Sequence, residues 1–216
     1  DTQLIVHEVF LSIQGESTHA GRLCTFVRLA GCPHACAYCD TSEARSFDAG
    51  DEMTIAAIVE RVELCGCPLV EITGGEPLAQ LPCADLARCL VDRGYEVLVE
   101  TSGIHPIDNL PRQAIKIMDL KTPSSGECAR TDWSNLDYLT ERDEIKFVIA
   151  DREDYDWACA TATEHNLIGR FPVLFSPVSG QIEPSELAAW IVADRLLVRL
   201  QLQLHKIVWG PDARGV

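Results

Sequence analysis

The sequence predicts an α/β fold, a partial and open TIM-like barrel of about six β/α units. Three observations carry this. From residue 69 onward, short apolar, β-branched runs alternate with helical patterns, as in a parallel sheet with crossovers. Polar or glycine-rich segments follow the runs at their C-terminal ends, where parallel α/β folds place their chemistry. And the chain has 216 residues, short for a closed eightfold barrel, which takes about 200 to 250 residues or more. No linker or repeat interrupts it, so residues 1–216 are expected to form a single domain.

The elements follow in order. Leu4–Phe10 is apolar and partly β-branched, a strand, and 12–17 reads as a turn. Thr25–Ala30 is a second strand, ending at Gly31. Residues 32–50 hold Pro33 and lack a period, so they form a loop. Over Thr54–Leu64, Ile55, Ile58, Val59 and Val62 recur at helical spacing, with Thr54 placed to cap. Leu69–Thr73 is a strand followed by Gly74-Gly-Glu-Pro77, and Cys83–Asp92 a helix stopped at Gly94. Tyr95–Glu100, Ala114–Asp119 and Glu144–Ile149 are strands, each followed by polar residues. Asp151–His165 is a helix, Pro172–Phe175 a strand, Pro184–Ala193 a helix, and Leu197–Leu204 a last strand.

Composition narrows the function. There are 33 acidic against 18 basic residues, a net charge of −15, so a phosphate backbone would meet a repulsive surface. Nucleic acid is therefore not an expected partner. Nor is a membrane. The longest apolar stretch, 190–200, is broken by Asp194, Arg195 and Arg199, and a span needs about 20 residues. The N-terminal residues show no basic region followed by an apolar one, so a cytoplasmic protein with reduced thiols is expected.

Ten cysteines are many for that compartment. Cys32, Cys36 and Cys39 form C-x3-C-x2-C on one short loop. Three thiolates at this spacing can bind one [4Fe–4S] cluster and leave one iron open. Zinc would want a fourth ligand, from His34 or Cys24, and chance spacing is the third reading. The other seven cysteines read as small buried hydrophobes.

The triplet after one strand and Gly74-Gly-Glu-Pro77 after the next resemble the radical S-adenosylmethionine (SAM) superfamily. Ser12-Ile-Gln-Gly-Glu16, Cys39-Asp-Thr41, Asp119–Gly126 and Gln201-Leu-Gln-Leu-His-Lys206 resemble, more narrowly, the 7-carboxy-7-deazaguanine synthase family. The resemblance runs from about Val6 to Gly215. It implies the partial barrel of the radical SAM type, a [4Fe–4S] cluster on Cys32, Cys36 and Cys39, SAM, and Mg²⁺ on Thr41. It sets Tyr38, Cys39, Asp40, Gly75, Asp119, Leu120, Lys121, Ser176, Pro177, Val178 and Ser179 against SAM. The implied substrate is 6-carboxy-5,6,7,8-tetrahydropterin. Ile13, Gln14 and Gly15 would meet its pterin edge, and Glu16 its guanidine-like part. Arg28 would pair with its carboxylate, and Thr73, His205 and Lys206 would line the same site.

The implied reaction begins with one-electron cleavage of SAM to a 5′-deoxyadenosyl radical. Hydrogen abstraction at C6, ring contraction and loss of ammonia follow, on the route to 7-deazapurines such as queuosine. A homodimer and a flavodoxin or ferredoxin as electron donor are implied as well. Two other readings stay open at this point: a radical SAM activating enzyme for a protein partner, and a zinc-binding module.

Overall fold

The computed structural model describes residues 2–210 and 213–215. Among them nine strands form one sheet in the order β3-β1-β2-β4-β5-β6-β7-β8-β9. These are β1 (Gln3–Ile13), β2 (Leu23–Leu29), β3 (Asp51–Thr54), β4 (Leu69–Gly74), β5 (Glu96–Thr101), β6 (Ile115–Leu120), β7 (Glu144–Ile149), β8 (Val173–Pro177) and β9 (Arg199–Leu200). β1 pairs antiparallel with β2 and β3; from β2 to β9 every neighbouring pair is parallel. β3 and β9 are the two edges, so the barrel is open, as the length predicts.

Local chemistry explains the helices that read cleanly. α1 (Ile55–Cys65) starts where Thr54 Oγ1 accepts from Ala57 N at 3.2 Å, and stops at Gly66, whose φ of 65° a side chain disfavours. α2 (Cys83–Asp92) turns Leu86, Ala87 and Leu90 to the sheet. α3 (Arg152–Glu164) starts where Asp151 Oδ1 accepts from Asp154 N at 2.9 Å. α4 is Pro184–Ala193. The β5–β6 connection carries only turns and the β6–β7 connection 3₁₀ turns, in place of α-helix; Pro106, Pro111 and Pro123 interrupt any helical run there.

Three expectations need correction. β1 continues to Ile13, so Ser12 and Ile13 are strand residues rather than a turn. β3 was not expected; it pairs Asp51–Thr54 with Gln3–Val6 at the sheet edge. The last strand is only Arg199–Leu200. After it Gln201 turns inward and is buried, and Leu204 N donates to Gly15 O at 3.0 Å where the short helix α5 (Leu204–Val208) begins. The apolar alternation over 197–204 looked like a strand, but no further strand lies beyond β9 to pair with it.

Two apolar clusters lie between the sheet and its helices. A third, with Cys24, Phe26, Leu69, Leu98 and Ile117, closes the floor inside the barrel. All ten cysteines are free, and Cys24, Cys67 and Cys83 are buried.

Candidate active site and cluster loop

A cavity of about 240 Å³ opens at the C-terminal ends of the parallel strands. Register decides what faces it, because residues paired across a sheet share a face. Arg28 of β2 stands beside Thr73 of β4, and Asp119 of β6 beside Lys146 of β7. Glu100 of β5 lies between these pairs, its Oε2 accepting from Thr73 Oγ1 at 3.3 Å. One layer deeper, Glu71 stands beside Phe26. Phe26 stacks on Phe10 of β1 with ring centroids 5.0 Å apart.

The charges are paired. Lys146, whose side chain is 5% exposed, donates to Glu16 Oε2 at 2.8 Å and to Glu100, with Asp119 Oδ2 at 3.4 Å. Burial would push this ammonium down, but Glu100, Glu16 and Asp119 outweigh it and hold it well above the ordinary lysine range. Burial likewise pushes Glu16 and Asp119 up, and the lysines beside them bring both below the usual carboxylate range. Among the described residues Glu71 is paired with no cation. Burial, then the charges of Glu100 and Glu16, push it well above that range, against the weaker pull of Lys146 and Arg28. It accepts from the amide of Gln14. Elsewhere Arg28 Nε meets Glu8 at 2.8 Å, Lys121 meets Asp119 at 2.9 Å, and Lys206 meets Asp40 at 2.7 Å.

Cys32, Cys36 and Cys39 leave β2 on one loop and line the same cavity, the first two half-buried and Cys39 exposed. Among the described residues, no three His, Cys, Asp or Glu side chains are already gathered as a metal site. The loop thus supplies the donor set without a preset chelate. The set fits an iron–sulfur cluster: three thiols of one loop with no fourth cysteine in the lining. The space beside it is kept by glycine. A Cβ on Gly75 would lie 2.5 Å from Gly31 O and 2.7 Å from Cys32 Cβ. In the cavity lining, Asp119 Oδ1 is buried without a partner among the described residues. An orphaned polar atom there fits a polar ligand such as SAM, since a buried polar group without a partner is costly.

Of the residues that the sequence reading set against SAM, Tyr38, Cys39, Asp40, Gly75, Asp119, Lys121, Val178 and Ser179 line the cavity. Leu120, Ser176 and Pro177 do not. They are buried within β6 and β8, behind the wall. Tyr38 shares a hydrogen bond with Thr122 Oγ1 at 2.9 Å, and burial pushes its phenol up to about 12. Thr41 is in the lining, its hydroxyl donating to Asp40 Oδ1 at 3.1 Å.

The residues assigned to the substrate, Ile13 to Glu16, Arg28, Thr73, His205 and Lys206, all line the cavity too. Three details differ from expectation. Gln14 spends its amide inside the protein, Nε2 on Glu71 and Oε1 on Glu16 N at 2.9 Å. Glu16 is already held by Lys146, by Gln201 Nε2 at 3.1 Å and by Gln203 Nε2 at 2.7 Å. His205 and Lys206 stand on α5 rather than at a strand end, with the His205 ring where a Cβ on Gly15 would be, 2.2 Å from Nδ1.

Sequence reasoning missed Lys146, Glu71, Glu100 and the Phe10–Phe26 wall. A signal existed for the first two. Each is a charge flanked by apolar residues inside a parallel-type strand, Ile145-Lys-Phe147 in β7 and Val70-Glu-Ile72 in β4. Such a charge is seldom buried without a partner.

With the geometry known, the chain can be set beside known proteins. The model of the radical SAM superfamily matches residues 27–167. A 7-carboxy-7-deazaguanine synthase of Chlorobaculum tepidum is 47% identical, over 100% of this chain and 99% of the relative. One of Koribacter versatilis is 42% identical, over 98% and 99%. The crystal structure of QueE from Escherichia coli superposes with a TM-score of 0.78 over 93% of this chain and 94% of that one, at 22% identity, a likeness of fold.

Proposed function

The chain belongs to the 7-carboxy-7-deazaguanine synthase family of the radical SAM superfamily, and we propose the following division of labour for its residues. The enzyme is a radical SAM carbon–nitrogen lyase that contracts the ring of 6-carboxy-5,6,7,8-tetrahydropterin to 7-carboxy-7-deazaguanine with loss of ammonia. One observation carries this reading. The full-length identity to named synthases coincides with three loop thiols that share a cavity with the Ile-Gln-Gly-Glu and Gln-Leu-His-Lys segments.

Cys32, Cys36 and Cys39 hold the [4Fe–4S] cluster. With SAM bound beside it, the cluster supplies the radical chemistry. Gly75 lets the backbone of β4 approach the SAM methionine. Asp119, with one oxygen orphaned, and Lys121 are placed for its polar groups, with Tyr38, Asp40, Val178 and Ser179 around them. Thr41 brings a hydroxyl beside Asp40, a sparse donor set that suits Mg²⁺, which keeps several waters.

The substrate lies over the polar ring. Glu8 takes only Nε of Arg28, which leaves both Nη groups for a carboxylate in bidentate fashion. Lys146, Gln201 and Gln203 lock Glu16 at the end of the Ile-Gln-Gly-Glu segment and orient it toward the pterin. Thr73, His205 and Lys206 close the sides, and the Phe10–Phe26 wall offers a flat apolar face to a flat ring. The apolar floor below keeps water out.

The whole chain acts as one radical SAM unit in the cytoplasm. It works as a homodimer, a reading supported by the exposed Leu197, Leu200, Ile207 and Val208 at and beyond the short edge strand. A flavodoxin or ferredoxin supplies the electron, reaching the loop on the side of the exposed Cys39.

The deciding experiment is turnover. The anaerobically reconstituted, reduced protein is given SAM, Mg²⁺ and the carboxytetrahydropterin, and the deazaguanine chromophore is followed. Product that forms faster with Mg²⁺ supports the reading. A protein with about four irons per chain that yields no product overturns the substrate assignment.

A further inference from the structure

His34 lies between Cys32 and Cys36, and its burial is unexpected. Its neighbours Pro33 and Ala35 are exposed, yet His34 is 5% exposed. Both ring nitrogens are occupied. Nδ1 is 3.0 Å from Glu127 Oε2 and Nε2 is 2.9 Å from Ser102 Oγ.

Glu127 comes from the turn after β6, far away in sequence. Its second oxygen accepts from Ala35 N at 2.8 Å. Arg130, one turn on, donates to Glu127 at 3.1 Å and to Pro33 O at 2.7 Å. All three residues between the first two cysteines are thus held by one short segment: Pro33 by its carbonyl, His34 by its ring, Ala35 by its amide. On the other side, Ser102 donates to Glu76 through N at 2.7 Å and Oγ at 2.6 Å, and Glu76 N donates to Gly31 O at 2.9 Å. Gly31 precedes Cys32. The circuit Gly31–Glu76–Ser102–His34–Glu127–Ala35 therefore closes around the first half of the loop.

We propose that His34 and Glu127 are a positioning pair that shapes the cysteine loop for its cluster. This rests on the reading that Cys32, Cys36 and Cys39 are the cluster ligands. The loop has no preset chelate, so something must limit the conformations among which its thiols converge, and the fixed backbone of residues 33–35 does so. Without the pair, His34 and Ala35 lose their anchors and cluster release no longer has to break them.

The test reads iron retention. Wild type, His34→Ala, Glu127→Ala and the double variant are reconstituted anaerobically as full chains. Iron release to a ferrous-iron chelator is timed, and far-UV circular dichroism and the unfolding midpoint are recorded. Each single variant should release iron about tenfold faster than wild type while circular dichroism is unchanged. The double variant should be no faster than the singles, because a pair is broken once. His34→Asn, which keeps a donor near Glu127, should recover part of the retention and serves if the alanine variant does not fold. Release within twofold of wild type in both single variants, or effects that multiply in the double variant, overturns the proposal. Failure of wild type to take up iron would instead overturn the cluster assignment.

Discussion

Lys146→Met tests the charge arrangement under the site. The ammonium is buried and compensates Glu16 at 2.8 Å, Glu100, and Asp119 at 3.4 Å. Methionine keeps the length and removes the charge, leaving Glu16 and Glu100 without their cation while Asp119 keeps Lys121. Removing one partner of a buried pair costs about 3–5 kcal/mol. At about 2–4 °C per kcal/mol for a chain of this size, the midpoint should fall by roughly 10 °C at pH 8.

The loss should depend on pH. In wild type, Glu16 and Asp119 lie below the ordinary carboxylate range, so their stabilisation is complete above a pH of about 4 and lost only as pH falls through the lowered values. Lys146 is raised, so its stabilisation is complete below a pH of about 10 and lost as pH rises through the raised value. Between these limits the wild-type contribution is flat. In the variant, burial raises the abandoned carboxylates, and the penalty grows as pH climbs past their unfolded values. The difference between the two proteins should therefore be large at pH 8 and shrink toward pH 5. Thermal unfolding of both at the two pH values measures it. A deficit below about 1 kcal/mol at pH 8, well short of the buried-pair cost, or an equal deficit at both, would refute the reasoning.

Glu71→Gln gives the opposite sign. A carboxyl raised in the folded state stabilises below its unfolded value and loses that contribution as pH rises, so glutamine should raise the midpoint at pH 8 and flatten the pH dependence; an unchanged profile in urea unfolding would count against a raised Glu71. Gly75→Ala puts a methyl 2.5 Å from Gly31 O and 2.7 Å from Cys32 Cβ, so iron per chain after reconstitution should drop well below the wild-type content, and full retention would show that the close approach is dispensable.

What could be read from the sequence was local. Thr54 sits before an apolar period, so α1 was legible with its cap, and α3 was legible as a helix although Asp151 caps it rather than opening it. The C-x3-C-x2-C loop and Gly74-Gly75 carry their chemistry in their spacing. What was hidden depends on register. Glu8 meets Arg28 only because β1 and β2 pair with an irregularity between Val6 and Glu8. Lys146, Glu100 and Asp119 converge only because three strands apart in sequence align their inner faces. The strand misread at 197–204 has the same origin: Gln201 and Gln203 turn inward to hold Ser17 N and Glu16, contacts that span more than 180 positions.

The charge of −15 takes on a specific meaning at this site. Of the cations that line the cavity, Arg28, Lys121, Lys146, Lys206 and Arg214 each have a carboxylate partner, and Arg45 stands in the lining beside them. Lys146 is spent wholly on acids and has nothing left to offer a ligand. Seven carboxyl groups, Glu8, Glu16, Asp40, Glu43, Glu71, Glu100 and Asp119, line the cavity against six cations, and Glu71 is pushed toward its neutral form. A ligand carboxylate entering here can use the unspent faces of a committed cation or positive charge brought with it. The Nη groups of Arg28 are such a face, and a divalent ion at Thr41, as proposed, would be such a charge. If Thr41 holds Mg²⁺ as proposed, an Arg28→Lys variant, which removes the bidentate face but keeps the charge, should become more dependent on Mg²⁺. Turnover measured across a Mg²⁺ titration checks this, and an unaltered titration curve would break the link between the two.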